Sequence, residues 1–532
     1  MTLPVGATLV PVLFASDATH LTNFSGDGKV WPLYMSIGDI KSCIRNKPTY
    51  HAWVPVAILP IGPKRIKRVP VWSEENQERE AVQVIHDLLR YIIRPLSNDA
   101  KDGVHLQCGD EVVRNCYFRV AGWLADHMEN STIHAIYANR CPICESPPQN
   151  LGDLQKHPMR DAQQYQAWLD QSDSESLQNN GVKLVKNALW TLQSVVPRDL
   201  IRPDILHTLL LGNLQYLMDW ITGFLEIHNR LPAFDSIWRS LPRYPGNYVP
   251  RKSYRLLTQL SGKEMRSILV VILGVFTATL RRTTNTQRPT AGQEQDFRKA
   301  ITCVRYLTDF ALLSRYRSHT DSTIGYMRDY LRRFHASKDI FLRYRAGKAA
   351  KAKANMVSKE LTEQNNMRNR EANQSGRTAA QKARAAVEDK EECAYLVNQA
   401  LEESSHFNFP KVHLMMHWAD QISRYGSLPQ YSTEICETSH KPLKDAYRRS
   451  NHINSIPQII KGYTWAHSFA ARELDMAAWA LEDPVIKVKV TSILHPIPKD
   501  TQLVVPDGTR IFMTLRGKRS TKEIYQIGRA HV

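Results

Sequence analysis

The sequence predicts an α/β protein with three strands, a helix and a fourth strand near its N-terminus, then a long and mainly helical remainder. Three observations predict it. Apolar runs rich in β-branched and aromatic residues recur at short intervals in the first 125 residues. One strongly striped helical segment interrupts them before the last run. From about residue 150 the apolar spacing changes to the helical period.

The elements follow in order. "ATLVPVLFAS" (7–16) reads as a buried strand that stops on an acid, Asp17. "VWPLYMSIGDI" (30–40) and "HAWVPVAILPI" (51–61) read as the second and third strands. "SEENQEREAVQVIHDLLRYIIRPL" (73–96) reads as a helix. Ser73 caps it, Glu74 and Glu75 suit the positive end of its dipole, and Val82, Ile85, Leu88, Leu89 and Ile92 form its apolar stripe. Pro95 marks its stop. "EVVRNCYFRVAGWLAD" (111–126) then reads as extended chain leading to a second acid, Asp126. Downstream, "RPDILHTLLLGNLQYLMDWITGFLEIHNRL" (202–231) is apolar on nearly every side and reads as a buried helix. "FRKAITCVRYLTDFALLSRYRS" and "TIGYMRDYLRRFHASKDIFLRYR" continue the pattern. Between 343 and 390, twelve Lys or Arg against five Asp or Glu in an Ala-rich background give a basic helical or disordered arm with no apolar stripe. Residues 485–515 alternate apolar and polar and read as a small β unit.

The net charge of +18 over 532 residues points to a polyanion, nucleic acid first among them. The basic clusters are scattered along the chain, which argues against a lone basic tail. Lys64, Arg65, Lys67 and Arg68 in "PKRIKR" make a patch of the nuclear-import or nucleic-acid type. Eight cysteines give no disulfide framework, so a reducing compartment is expected. The longest apolar run, "SILVVILGVFTATL" (267–280), is too short to span a bilayer and is flanked by Arg266, Arg281 and Arg282. It reads as a buried helix, and no membrane partner is expected.

Two sets of residues carry chemistry. Two-metal phosphoryl transfer needs carboxylates from separate elements converging on one point, where they hold two divalent ions about 3.5–4 Å apart. Carboxylates suit Mg²⁺ because it is a hard cation that takes oxygen ligands. Asp17 and Asp126 at strand ends would supply two, and a late helix a third. Separately, Cys141 and Cys144 of "CPIC" with His413 and His417 of "HLMMH" have the residue types and spacing of a closed, structural Zn²⁺ site. His157 is a rival ligand nearer in sequence. In "DILH", Asp204 and His207 share a helix face, either as a pair that orients a ligand or as a core hydrogen bond.

Taken together, "VPVLFASDATHLTNFSGDGKVWPLYMSIGDI", "CPIC", "RPDILHTLLLGNLQYLMDWITGFL", "YRSHTDSTIGYMRDYLRRFH", "FPKVHLMMHWADQISRYGSLPQYSTEICETSHK" and "YRRSN" resemble the fungal Plavaka-type transposases of the Kyakuja-Dileera-Zisupton group, relatives of the CACTA-like elements. The strings cover roughly 5–470 in family order. The resemblance implies a DDE transposase on an RNase H-like core interrupted by a large helical insertion. It implies Asp17, Asp126 and Glu437 as ligands of Mg²⁺ (or Mn²⁺), with Glu434 a rival for the third acid and Asp204 for the second. It assigns Cys141, Cys144, His413 and His417 to zinc, as in the antigen-receptor recombinase, where similar pairs bind one zinc. Asp204, His207 and His440 fall in matching motifs. Pro442, five residues after Glu437, implies a short or kinked final helix.

The expected organisation is a first part of the core at 1–145, the insertion at 146–342, the basic arm at 343–405, the zinc histidines and final helix at 406–470, and a small β segment at 471–525. The last residues, 526–532, translate the start of a common sequencing-adapter oligonucleotide and are read as an artefact. The expected function is metal-dependent hydrolysis of phosphodiesters at transposon ends followed by strand transfer, in the nucleus, by a homo-oligomer acting on transposon-end and target DNA. Arg448, Arg449, the "PKRIKR" patch and the basic arm are expected to bind the phosphate backbone. Full-length relatives carry a long N-terminal region that helps bind DNA, whereas Asp17 lies only 16 residues from the start here. The alternative is therefore a truncated or domesticated, catalytically inactive DNA-binding derivative, with a non-catalytic zinc scaffold as a third reading.

Overall fold

The computed structural model describes residues 3–21, 29–61, 74–108, 112–192, 195–242, 244–250, 252–257, 260–281, 288–342, 407–453 and 455–480. The "PKRIKR" patch, the basic arm up to residue 405, the range 485–515 and the adapter-like tail lie outside them. The chain divides into two compact units. The first holds 1–135, 161–202 and 433–532; the second holds 136–160 and 203–432. Residues 161–202, part of the expected helical insertion, thus belong with the first unit.

The first unit is a mixed sheet with helices. Strands β1 (Thr8–Ser16), β2 (Thr19–His20), β3 (Lys29–Ile37), β4 (Val54–Leu59), β5 (Val104–Gln107) and β6 (Val113–Leu124) make up the sheet. Its order is β2-β3-β1-β6-β5, with β4 also paired to β3. Strand β1 runs antiparallel to β3 and parallel to β6. A parallel pair needs a crossover, which the helix Glu74–Asp102 supplies. From Leu13 to Ser16 every residue of β1 is buried, so the strand reads as a continuous apolar run rather than an alternating one.

The crossover helix buries Val82, Ile85, Leu89 and Ile93, while Leu88 and Ile92 pack at the margin of the same core as Phe14, Leu33 and Trp123. It does not stop at Pro95 but runs on to Asp102. Proline removes one hydrogen bond, to the carbonyl four residues earlier. That residue is Tyr91, 76% exposed, and Pro95 is exposed as well. On that face water can serve the released carbonyl. The sheet also carries a bulge that periodicity did not reveal. Val12 pairs with Val120 but Leu13 with Gly122, so Ala121 is the extra residue. The Ala121 carbonyl accepts a hydrogen bond from the buried Arg202 guanidinium, which also lies where a Cβ on Gly122 would sit.

Inside this unit His86 is buried between two backbone groups. Its Nε2 lies 3.2 Å from the Thr132 carbonyl and its Nδ1 accepts the Ala188 N–H at 3.3 Å, an arrangement only the neutral ring makes. Burial lowers its pKa to about 4. A base depressed on folding contributes stability that is complete above its ordinary value of 6.5 and is lost as pH falls through about 4. The unit is expected to lose about 3 kcal/mol across that window. Urea midpoints measured over it check this, and His86→Asn should flatten the pH dependence whatever it does to absolute stability.

The second unit is helical. Leu214–Ile227, Gly262–Arg281, Ala291–Leu313, Asp321–Ser337 and Pro410–Tyr425 enclose one core that includes Leu217, Phe224, Ile272, Phe276, Leu307 and Trp418. The apolar run at 267–280 is buried on one side as expected, and no helix among the described residues is long and apolar enough to cross a membrane. The segment expected as one buried helix at 202–231 begins as a π-helix, Ile205–Asn213, before becoming α-helical.

Back in the first unit, the helix Glu434–Arg448 runs unbroken through Pro442, which is exposed, and so is neither short nor interrupted. Ser455–Ala480 follows, so the first ten residues of the expected small β segment are helical.

Candidate metal centre and acidic site

In the helical unit, Cys141, Cys144, His413 and His417 place one donor atom each within 4.8 Å of one another. The two cysteines come from a loop, and the histidines sit four residues apart on one face of Pro410–Tyr425. Cys144 Sγ lies 3.1 Å from His413 Nε2, and Cys141 Sγ lies 3.5 Å from His417 Nε2. Tetrahedral zinc, with Zn–S about 2.3 Å and Zn–N about 2.0 Å, puts sulfur and nitrogen roughly 3.5 Å apart. The donors therefore fit zinc, and their number leaves no open position, the mark of a structural site. His157 is not among the four.

The surroundings favour thiolate at Cys141. Burial pushes its thiol up, but the Cys144 side chain, the Cys144 and Ile143 backbone N–H groups and the Arg160 charge outweigh it and bring it below the usual range. Arg160 itself donates to the Cys141 carbonyl at 2.6 Å. Cys144 is pushed up, by its hydrogen bond with Cys141 and by burial. The site joins residues 276 apart along the chain, and because loop entropy grows only with the logarithm of length, one metal can hold so long a closure.

The acids lie in the sheet unit. Parallel pairing sets Ala15 opposite Leu124, so Asp17 and Asp126 each follow two residues beyond a paired position on neighbouring strands. Neighbouring strands are about 4.8 Å apart. Asp126 is also the N-cap of the helix His127–Ile133, its Oδ1 accepting the Glu129 N–H at 2.8 Å. Asp17 is reached from far along the chain: its Oδ2 lies 3.0 Å from Nε2 of the buried His440. His440 Nδ1 lies 3.3 Å from the Tyr34 hydroxyl. Burial holds the Tyr34 hydroxyl protonated, well above its usual range. In the neutral tautomer with the ring proton on Nε2, facing Asp17, Nδ1 accepts the Tyr34 hydroxyl. Glu437 is exposed one turn before His440 on Glu434–Arg448, and Glu434 is half-buried at the start of that helix.

A third carboxyl in this group, Glu129, was not singled out from the sequence. Three residues after an N-cap, it reads as an ordinary first-turn acid. It is buried, and it accepts the Ser16 hydroxyl and the Ala18 N–H, both at 2.7 Å. Burial pushes it up to about 8, against the Ser16 hydrogen bond and with the charges of Asp126 and Asp17 adding to the shift. These crowded carboxyl oxygens are the donor type that Mg²⁺ takes.

The other sequence candidates are placed as follows. Asp204, buried in the helical unit, caps the π-helix: it accepts the Leu206 and His207 N–H groups at 3.0 and 2.8 Å and lies 2.9 Å from His207 Nδ1. Its carboxylate thus serves the backbone of its own unit. Arg448 and Arg449 are exposed at the C-terminal end of Glu434–Arg448. Lys64, Arg65, Lys67 and Arg68 lie outside the described residues.

Compared with known families, residues 1–221 match the model of the Plavaka transposase family. No curated protein matches the chain. The matched range takes in β1, β6, Asp17, Asp126, the two cysteines and the Asp204–His207 pair, and over it the chain is similar to the Plavaka-type transposases.

Proposed function

We propose that the chain is a DDE-type DNA transposase of a fungal cut-and-paste element, built on an RNase H-like core. Its substrates are transposon-end and target DNA in the nucleus, and it works as a homo-oligomer. Asp17, Asp126 and Glu437 hold Mg²⁺ or Mn²⁺; Cys141, Cys144, His413 and His417 hold a structural zinc. The observation that carries this reading is the parallel β1/β6 pair, which ends in matched positions on Asp17 and Asp126, with His440 of a late helix on Asp17. The strand order β4-β3-β1-β6, with one parallel pair made by a helical crossover, supports the reading of an RNase H-like core.

When bound, a divalent metal pair at these carboxylates activates the attacking oxygen and steadies the leaving oxygen. The protein's own part is orientation. His440 fixes the Asp17 carboxylate, the Asp126 cap fixes the second acid, and Glu437 lies one turn before His440 on the same helix. Arg448 and Arg449 meet the phosphate backbone, so binding should weaken steeply with salt.

Strand nicking and strand transfer on terminal-repeat DNA from the source locus, with Mg²⁺ or Mn²⁺, tests the proposal. Cleavage that depends on metal and disappears in Asp17→Ala supports it. DNA binding without cleavage would make the chain an inactive, transposase-derived binding protein instead.

A further inference from the structure

We propose that Glu129 is a positioning residue that sets the spacing of Asp17 and Asp126 by clasping the chain on both sides of Asp17; this rests on the reading of those two acids as metal ligands given above. Asp17 occupies the two-residue link between β1, which ends at Ser16, and β2, which starts at Thr19. A link that short carries its own backbone donors with no ladder partner on hand. Glu129 takes one of them. Its Oε1 accepts the Ala18 N–H and its Oε2 accepts the Ser16 hydroxyl, each at 2.7 Å. Asp17 lies between these two anchors. Ser16 Oγ is held in turn from the neighbouring strand by Trp123 Nε1 at 3.1 Å.

The other end of the clasp is Asp126. Its carboxylate holds the Glu129 N–H, so the residue that fixes the Asp17 link is itself fixed by the second acid. The path from the Asp126 carboxylate to the two residues that flank Asp17 is therefore two hydrogen-bonded steps through a single residue.

Glu129 is buried beside two other acids, a costly place for a carboxyl. Groups that orient metal ligands typically alter metal affinity by about 10- to 100-fold when removed. A positioning role and a merely structural one thus predict opposite results for Glu129→Gln.

The test is Mn²⁺ binding to the full, zinc-loaded chain, followed by the electron paramagnetic resonance of free Mn²⁺, alongside thermal unfolding. Glu129→Gln is expected to keep or raise the thermal midpoint at neutral pH while weakening Mn²⁺ binding by about 10-fold or more. Ser16→Ala, a milder change that removes one arm of the clasp, should weaken binding by a smaller factor and serves if the glutamine variant does not fold. Asp17→Ala separates the two levels of the argument. If Asp17→Ala abolishes Mn²⁺ binding but Glu129→Gln and Ser16→Ala bind like the parent, the positioning role is wrong and the metal site stands. If Asp17→Ala itself binds like the parent, the metal-site reading fails and the positioning role falls with it.

Discussion

Replacing Cys144 with serine should strip zinc from the protein and lower its thermal midpoint by about 10 °C or more. Structural zinc in small sites binds with an apparent free energy on the order of 10 kcal/mol at neutral pH, comparable to the whole stability of a typical domain. Here the ligands join a loop near residue 141 to a helix 276 residues later. Losing one thiolate removes a donor from a closed site and leaves three buried polar groups arranged around a vacant point. The helical core also supports its unit, so the full binding energy will not appear in the unfolding midpoint.

Elemental analysis should return one zinc per chain for the parent and little for Cys144→Ser or His413→Ala. Cys303→Ala is the control. Cys303 is as buried as Cys141 and lies in the same unit, but burial pushes its thiol up to about 12 and it has no part in the four-donor group. It should retain the metal. Equal zinc content in Cys144→Ser and the parent would show that the pairs do not form one site.

Asp17→Ala should cost about 1,000-fold or more in metal-dependent strand cleavage, since placing charge on a metal-bound phosphodiester is an effect of several kcal/mol. His440→Asn should cost less, about 10- to 100-fold, because it removes only the group that orients the carboxylate. The order of the two losses is the informative result. Tyr34→Phe should fall between the parent and His440→Asn, as it removes the hydroxyl that faces His440 Nδ1 while leaving the ring in place. Single-turnover cleavage of a labelled terminal-repeat duplex measures all three. An Asp17→Ala protein that still cuts at the parental rate would remove this acid from the site.

Both sites were legible in the sequence to different degrees. Cys141, Cys144, His413 and His417 were offered as two pairs by local spacing, because a cysteine pair three residues apart and an imidazole pair one helical turn apart are each set by short-range geometry, and the resemblance joined the pairs into one zinc site. Asp17 and Asp126 were legible as strand-end acids because a buried apolar run that stops on a carboxylate is a local event. Glu129 was not, since its spacing from Asp126 is that of any capped helix. His440 was singled out only because it falls in a matching motif; its contact with Asp17 spans 423 residues, and no periodic signal reports contacts at that range.

From residues alone came what local physics fixes: the strands, the striped crossover helix, the apolar helical remainder and the donor types of both sites. Pro95 and Pro442 show where that reading stops, because a proline ends a helix only where the released carbonyl has no other partner, and exposure is a tertiary property. The tertiary structure alone decided that residues 161–202 join the sheet, that β6 bulges at Ala121, and that Glu129 and His440 converge on Asp17. The reason is physical. Periodicity records which face of an element is buried, whereas the partner buried against it is chosen by packing over hundreds of residues, where many arrangements share the same local pattern.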